Sequence, residues 1–311
     1  MRNALLAVLL VIGRRAVAGE SDVFYAPGKV QGAFLCRGAG ARAAGMGSAF
    51  TAVADDASAV SWNPGGLGNA RTLSSMLMYD SVADSINLGY ASLISPVGEG
   101  MAAGIALAWL DYGSYTVRDS EGVVSGEASL SDVAVTAGWS FPNPRMMGGT
   151  GWTGVGAEFL HSGVGGSAGA LNLGSVVKVS YRTTIGWALL HAGPKSNGFS
   201  LPATIRAGIS HGEPGRYRLA LDFGYGLADR QSRIAVGGEA YPYPYLAVRC
   251  GYSRPLVDQG LEGITGLSLG LGAGMRGWGL SYAFIPFSGL AMNHRVSLTY
   301  TRPIPVEAQN E

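Results

Sequence analysis

The fold class this sequence predicts is all-β, a transmembrane antiparallel β-barrel of about fourteen strands with an N-terminal luminal plug. Three observations predict it. From about Arg71 onward, apolar residues recur at every second position. Only 14% of the 311 residues are charged and 49 are glycine, against about 25% charged and roughly 7% glycine in ordinary soluble domains. The chain also opens on an apolar leader. Glycine has no three-residue period, which excludes collagen, and the Leu, Val, Ile and aromatic content argues against disorder. A net charge of +1 implies no nucleic-acid partner.

Residues 1–19, "MRNALLAVLLVIGRRAVAG", read as a signal peptide. Arg2 is the positive start, Ala4 to Gly13 the apolar stretch, and Ala16-Val17-Ala18 a small-residue cleavage site, so cleavage is expected near Ala18. The stretch is too short to cross a hydrocarbon layer of roughly 30 Å as a helix.

Residues 20–70 are expected to fold back into the lumen as a plug or hatch. "GARAAGMGSAFTAVADDASAVSWNPGGLG" is too interrupted for one long helix. Gly40, Gly45 and Gly47 suit tight backbone packing. Asp55 or Asp56 is placed to cap a short helix over "DASAVSW". Pro64 should end it, with Gly65-Gly66 turning toward the first strand.

Residues 71–302 form the barrel. In "YRLALDFGYGL", Tyr217, Leu219, Leu221, Phe223 and Tyr225 fall in one phase and Arg218, Ala220, Asp222 and Gly224 in the other. Side chains alternate across a strand, so one face is apolar and the other small or charged. An Arg facing lipid at midplane costs about 2–4 kcal/mol, which turns the charged phase inward. Breakers divide the chain into strands near 71–82, 85–95, 101–112, 130–141, 152–161, 170–181, 183–191, 202–211, 216–227, 232–241, 244–253, 264–275, 278–286 and 293–302. Short links such as "GEPG" and "PYP" mark one rim and longer links such as residues 113–129 and 191–201 the other. "PNPRMMGGTG" is too long for this rule and the link at Asp84 too short. Trp139, Trp152, Trp187, Tyr241, Tyr245, Trp278 and Tyr300 stand near strand ends, as interfacial girdles do. Residues 303–311 are a C-terminal tail.

The inward phase carries the candidate lumen charges: Lys178, Arg182, Arg206, Arg218, Arg233, Arg249, Arg276 and Arg295 against Asp132, Glu158, Asp222 and Glu239. They would hold an anionic group or polarise a pore, or else pair with one another and with Asp55 and Asp56 as ordinary structure. His161, His191, His211 and His294 are far apart, expected in loops or interfaces, and no metal spacing occurs. The glycine-rich runs lack a following GK[ST], and no G-x-S-x-G turn opens a helix, so no cofactor and no enzyme activity are expected. Cys250 falls in the outward phase and Cys36 in the plug, so no disulfide should join them.

The segment from Gly40 to Leu67, together with "LALDFGYG", "AVGGEAY", "LAVRCGYS" and "HRVSLTY", resembles the PorV/PorQ family, which is similar to the FadL-like transporters of the outer membrane. The resemblance makes Arg42, Gly45, Gly47, Asp55, Asp56, Asn63, Pro64 and Gly65 the hatch residues, with Gly65 where the family usually carries Ala. It implies a bacterial outer-membrane location, lipid as a partner, and hydrophobic small molecules or the proteins of type IX secretion as cargo or partners. The alternatives are a soluble secreted β-sandwich binding module, which alternates equally well, and a non-transporting barrel scaffold.

Overall fold

A computed structural model describes residues 30–83, 86–119, 121–143, 150–256, 266–287 and 291–303. The expected signal peptide, and most of the expected C-terminal tail, lie outside the described residues, as do Asp84 and the centre of the "PNPRMMGGTG" link.

Fourteen antiparallel strands close into one ring: β1 (Ser74–Ala83), β2 (Ile86–Gly98), β3 (Met101–Arg118), β4 (Val124–Pro142), β5 (Thr150–Ser162), β6 (Gly166–Lys178), β7 (Thr183–Ala192), β8 (Thr204–Glu213), β9 (Tyr217–Gly226), β10 (Ser232–Tyr243), β11 (Leu246–Pro255), β12 (Leu267–Met275), β13 (Trp278–Phe287) and β14 (Ala291–Thr301). Each strand pairs with its sequence neighbours, and β1 closes on β14 with Leu77 opposite Leu298 and Asp80 opposite Arg295. A single ring rules out the two stacked sheets of a sandwich and leaves no exposed edge strand.

The two-residue period explains the wall. Along β12, Leu269 and Leu271 are exposed on the outside while Ser268, Gly270 and Gly272 are buried. The same alternation puts Leu219 and Leu221 of β9 outward and Ala220 and Asp222 inward. Cys250 is exposed in the outward phase, whereas the Cys36 thiol lies 3.7 Å from the Pro202 carbonyl.

One outer link is not a loop. Residues expected as a long connection after the third strand continue the ladder, from Ser114 opposite Ser129 to Arg118 opposite Val124, past a register shift at Asp111. Tyr115, Thr116, Val117, Val123 and Val124 favour extended backbone. The Asp119 carboxylate closes the turn by accepting from the Glu121 and Val123 amides.

The chain before β1 holds the apolar core. A 3₁₀ turn (Ala33–Arg37) precedes the helix α1 (Ala41–Gly45), then α2 (Ala59–Trp62) and a second 3₁₀ turn (Pro64–Asn69). Met46, Phe50, Val60, Trp62 and Leu67 are fully buried and cluster with Met76, Leu88, Ile94, Leu110 and Leu160 from the wall. α2 is shorter than the sequence suggested. Asp56 bonds the Ser58 amide and hydroxyl in a turn ahead of the helix instead of capping it, and Asp55 is committed to arginines. Pro64 does end α2, since its predecessor Asn63 is extended (φ −167°, ψ 105°). Gly65-Gly66 lie within the second 3₁₀ turn, so the exit toward β1 comes later, at Ala70.

Candidate functional site

The expected hatch residues divide between two places on the inner wall. Arg42 is the hub of the first. Its guanidinium reaches Asp55 at 2.6 Å, Asp56 at 3.2 Å and both oxygens of Glu239 at 2.9 Å. Arg218 adds a second contact to Asp55 at 2.6 Å, and Arg249 a second to Glu239 at 2.6 Å. Three guanidiniums therefore meet three carboxylates, and the cluster is neutral. It ties the N-terminal segment to β9, β10 and β11. Burial opposes ionisation of Asp55, yet Arg42 and Arg218 outweigh it and hold the carboxyl well below its usual range.

Asn63, Pro64 and Gly65 make the second place, on β5 and β6. The Asn63 amide donates to the carbonyls of Thr51 (2.9 Å) and Ser175 (3.0 Å), and its oxygen accepts from the Gly65 amide (3.0 Å). Glycine is required on both sides of this contact. A Cβ at Gly154 would overlap the Pro64 carbonyl, and one at Gly174 would overlap the Asn63 side chain. Gly65 in turn stands over Ser175 with no room for a methyl group (2.7 Å from a Cβ to the Ser175 Cα).

Gly45 and Gly47 pack against the β10–β12 side. A Cβ at Gly45 would stand 3.1 Å from the Gly270 Cα. Gly47, at φ +63°, donates its amide to the Ser268 hydroxyl at 3.0 Å.

Of the expected lumen charges, Arg206, Asp222, Arg218, Glu239, Arg249 and Arg295 point inward and are engaged. Asp222 accepts the Phe50 and Thr51 amides, and Arg206 donates to the Ser48 carbonyl and lies 4.6 Å from the Trp62 ring centre. Lys178 sits at the end of β6 with its ammonium 5.0 Å from the Trp152 ring centre. Arg233 lines a cavity and makes no ion pair or side-chain hydrogen bond among the described residues. Two expectations fail. Arg182 lies in the β6–β7 turn, exposed and paired with Glu213 at 3.3 Å. Arg276 lies in the β12–β13 turn at φ +54°. In both cases the alternation runs on past the last ladder pair, so phase alone misplaces a turn residue.

Two girdle assignments also reverse. Trp278 is 54% exposed but Trp152 only 5%, because Trp152 faces inward and packs on Gly68. Tyr241 lines an inner cavity near Glu239. Trp139, Trp187 and Tyr245 are exposed on the outside, and the Tyr300 ring packs on Trp278 at 4.8 Å.

Sequence reasoning missed two inner clusters. Asp80 is fully buried and receives both Arg295 (2.7 Å) and Arg37 (3.2 Å). Its position opposite Arg295 was readable only once β1 was known to close on β14. His191 was expected in a loop or interface. Instead it is buried with Nδ1 2.9 Å from Glu158, whose other oxygen accepts from Thr136. The expected Asp132 accepts from the Tyr112 hydroxyl and the Gly163 amide. His161, His211 and His294 are exposed and bonded to Ser167, Thr183 and Tyr282.

Two cavities flank the N-terminal segment. The larger, about 490 Å³, is lined by apolar residues that include Phe34, Leu35, Leu110 and Ile285 and by polar ones that include Arg206, Arg233, Ser253 and Asn293. The smaller, about 420 Å³, opens toward the short-turn rim between Arg42, Arg218 and Arg249 and a row of hydroxyls, Ser281, Ser297, Thr299 and Thr301.

No protein-family model matches this chain, and no curated protein matches it. Solved structures do. The toluene transporter TodX of Pseudomonas putida aligns with a TM-score of 0.59 at 15% identity, covering 86% of this chain and 98% of that one. The toluene transporter TbuX of Ralstonia pickettii aligns at 0.58 and 15%, covering 86% and 99%. A FadL homologue of Pseudomonas aeruginosa aligns at 0.53 and 11%, covering 82% and 96%. At these identities the likeness is one of fold.

Proposed function

We propose that this chain is a bacterial outer-membrane barrel that carries hydrophobic small molecules, with residues 20–70 as its luminal plug. The observation that carries the reading is the 490 Å³ cavity, with a mostly apolar lining, held between the plug and the wall of a barrel with the fold of two toluene transporters. Its apolar lining would accept a hydrocarbon skeleton by burial alone, at about 25 cal/mol per Å² removed from water. The exposed apolar belt would face lipid, and the leader would supply export. Six of the lumen charges, Arg206, Arg218, Asp222, Glu239, Arg249 and Arg295, are spent on the plug or on the charges that hold it. Cells lacking the chromosomal copy should take up toluene more slowly than the parent strain. Equal rates would defeat the transport reading, and extraction from cells without detergent would defeat the membrane location.

A second reading is favoured by the signature running from Arg42 to Gly65: handling of exported proteins in type IX secretion. Under it, deletion of the chromosomal copy changes the profile of secreted proteins and leaves toluene uptake intact.

A further inference from the structure

The two cavities approach each other along β9 to β14, with Asp222 and Arg218 about Ala220 on β9 and Ala235 and Glu239 about Gly237 on β10. On β12, Ser268 lines the larger cavity and Gly272 the smaller, with Gly270 between them. On β13, Ile285 and Ser281 stand in the same relation about Ala283, and on β11 Ser253 and Arg249 about Gly251. On β14 nothing intervenes: Arg295 lines one cavity and Ser297, two residues on and so about 7 Å away, lines the other.

The layer between the cavities is met from inside by α1 and the turn after it. Ala41 and Ala44 cluster with Ala283, Gly45 with Gly270, and Gly47 with Gly251. Ala44 itself borders the larger cavity and Arg42 the smaller, so one turn of helix separates them. Most side chains of this contact are hydrogen or methyl, with Ile285 packed at its edge. Such small side chains bury little apolar area, although the Met46–Gly47 backbone lies close on Gly251. What fastens α1 here is directional and sparse: the Ala41 amide on the Ser297 hydroxyl at 2.7 Å, the Gly47 amide on the Ser268 hydroxyl at 3.0 Å, and the Arg42 cluster beneath.

We infer that α1 against β11–β13 is a seal one residue layer thick, that it is the constriction of the passage, and that the Arg42 ion pairs are the latch keeping it shut. The inference rests on the transport reading for its cargo but not for its geometry. A displacement of α1 alone joins the two cavities into one path from rim to rim, while the Asn63 contact on β5 and β6 stays in place.

Two measurements test it, both in a background with Cys36→Ser and Cys250→Ser. In the first, Ala44→Cys and Ala283→Cys are combined, and toluene entry into cells carrying this variant as their sole copy is followed with the pair oxidised and then reduced. Oxidation should lower entry at least tenfold and reduction should restore it. Unchanged entry with the cross-link formed overturns the seal and leaves the transport reading standing. In the second, Ser281→Cys in the smaller cavity is labelled by a membrane-impermeant maleimide offered only on the long-loop face. Adding Arg42→Gln should speed labelling at least tenfold while the barrel keeps its heat-resistant migration. Equal rates overturn the latch. If neither redox state passes toluene, the transport reading fails, and faster labelling with Arg42→Gln still establishes the seal.

Discussion

The N-terminal segment stands on the inner wall at two footings that are built in opposite ways. On β5 and β6, Asn63 and Pro64 interlock with Gly154, Gly174 and the Ser175 carbonyl, and Leu67 packs onto Gly104 and Gly138 of β3 and β4. On β11 to β13, alanine and glycine of α1 lie on alanine and glycine of the wall, and the hold comes from two hydroxyls and one arginine cluster. Separating the first footing orphans the Asn63 amide and two carbonyls and breaks a side-chain interlock, whereas the second loses two amide–hydroxyl bonds and a set of ion pairs that one substitution can weaken. The first footing is suited to an anchor and the second to a moving part.

The largest expected effect tests the anchor. Gly154→Ala forces a methyl group into the Pro64 carbonyl, and overpacking against backbone should cost about 3 kcal/mol or more. Trypsin should then cut at Arg37 and Arg42 much faster than in the parent barrel; unchanged cleavage would remove the distinction between the footings. Asn63→Ala orphans the Thr51 and Ser175 carbonyls and the Gly65 amide, a loss of about 3 kcal/mol, read as a lower thermal midpoint of the detergent-solubilised protein. Arg42→Gln should cost less, about 2 kcal/mol, because Arg218 and Arg249 still reach Asp55 and Glu239. Its effect should be confined to the α1 side, with protection of residues 59–69 from hydrogen exchange unchanged.

Acid sharpens the comparison further. The folded-state Asp55 carboxyl titrates below its unfolded value, so its stabilisation is present above the unfolded value and is lost as pH falls through the folded one. The Asp55 contribution to the latch should survive at pH 5, where its carboxyl is still ionised, and fail only in strong acid. Labelling of Ser281→Cys that rose between pH 7 and pH 5 would contradict this. The smallest change is expected from Arg233→Ala. That side chain holds neither footing, and the thermal midpoint should move by no more than about 0.5 kcal/mol of stability allows.

The sequence by itself determined the wall. Each of the fourteen strand segments coincides with an observed strand, because a sheet with apolar surroundings on one face and small residues on the other enforces a two-residue period that a one-residue slip would invert. It also marked Arg42, Asp55, Asn63 and Gly65 as belonging together, and placed Glu239 and Arg249 in the inward phase, where adjacent antiparallel strands bring them opposite each other. Only the tertiary structure decided which partner each charge takes. Asp80 and Arg295 meet because the first strand closes on the last, 215 residues away, and no local pattern encodes ring closure. Trp152 turned inward, and Arg182 and Arg276 fell into turns, because periodicity fixes the phase of a residue but not where along the strand pairing stops. The two footings are equally glycine-rich in sequence. Their difference lies in what stands against the wall glycines, Asn63 and Pro64 on Gly154 and Gly174 but Gly45 and Gly47 on Gly270 and Gly251, and that is settled by packing alone.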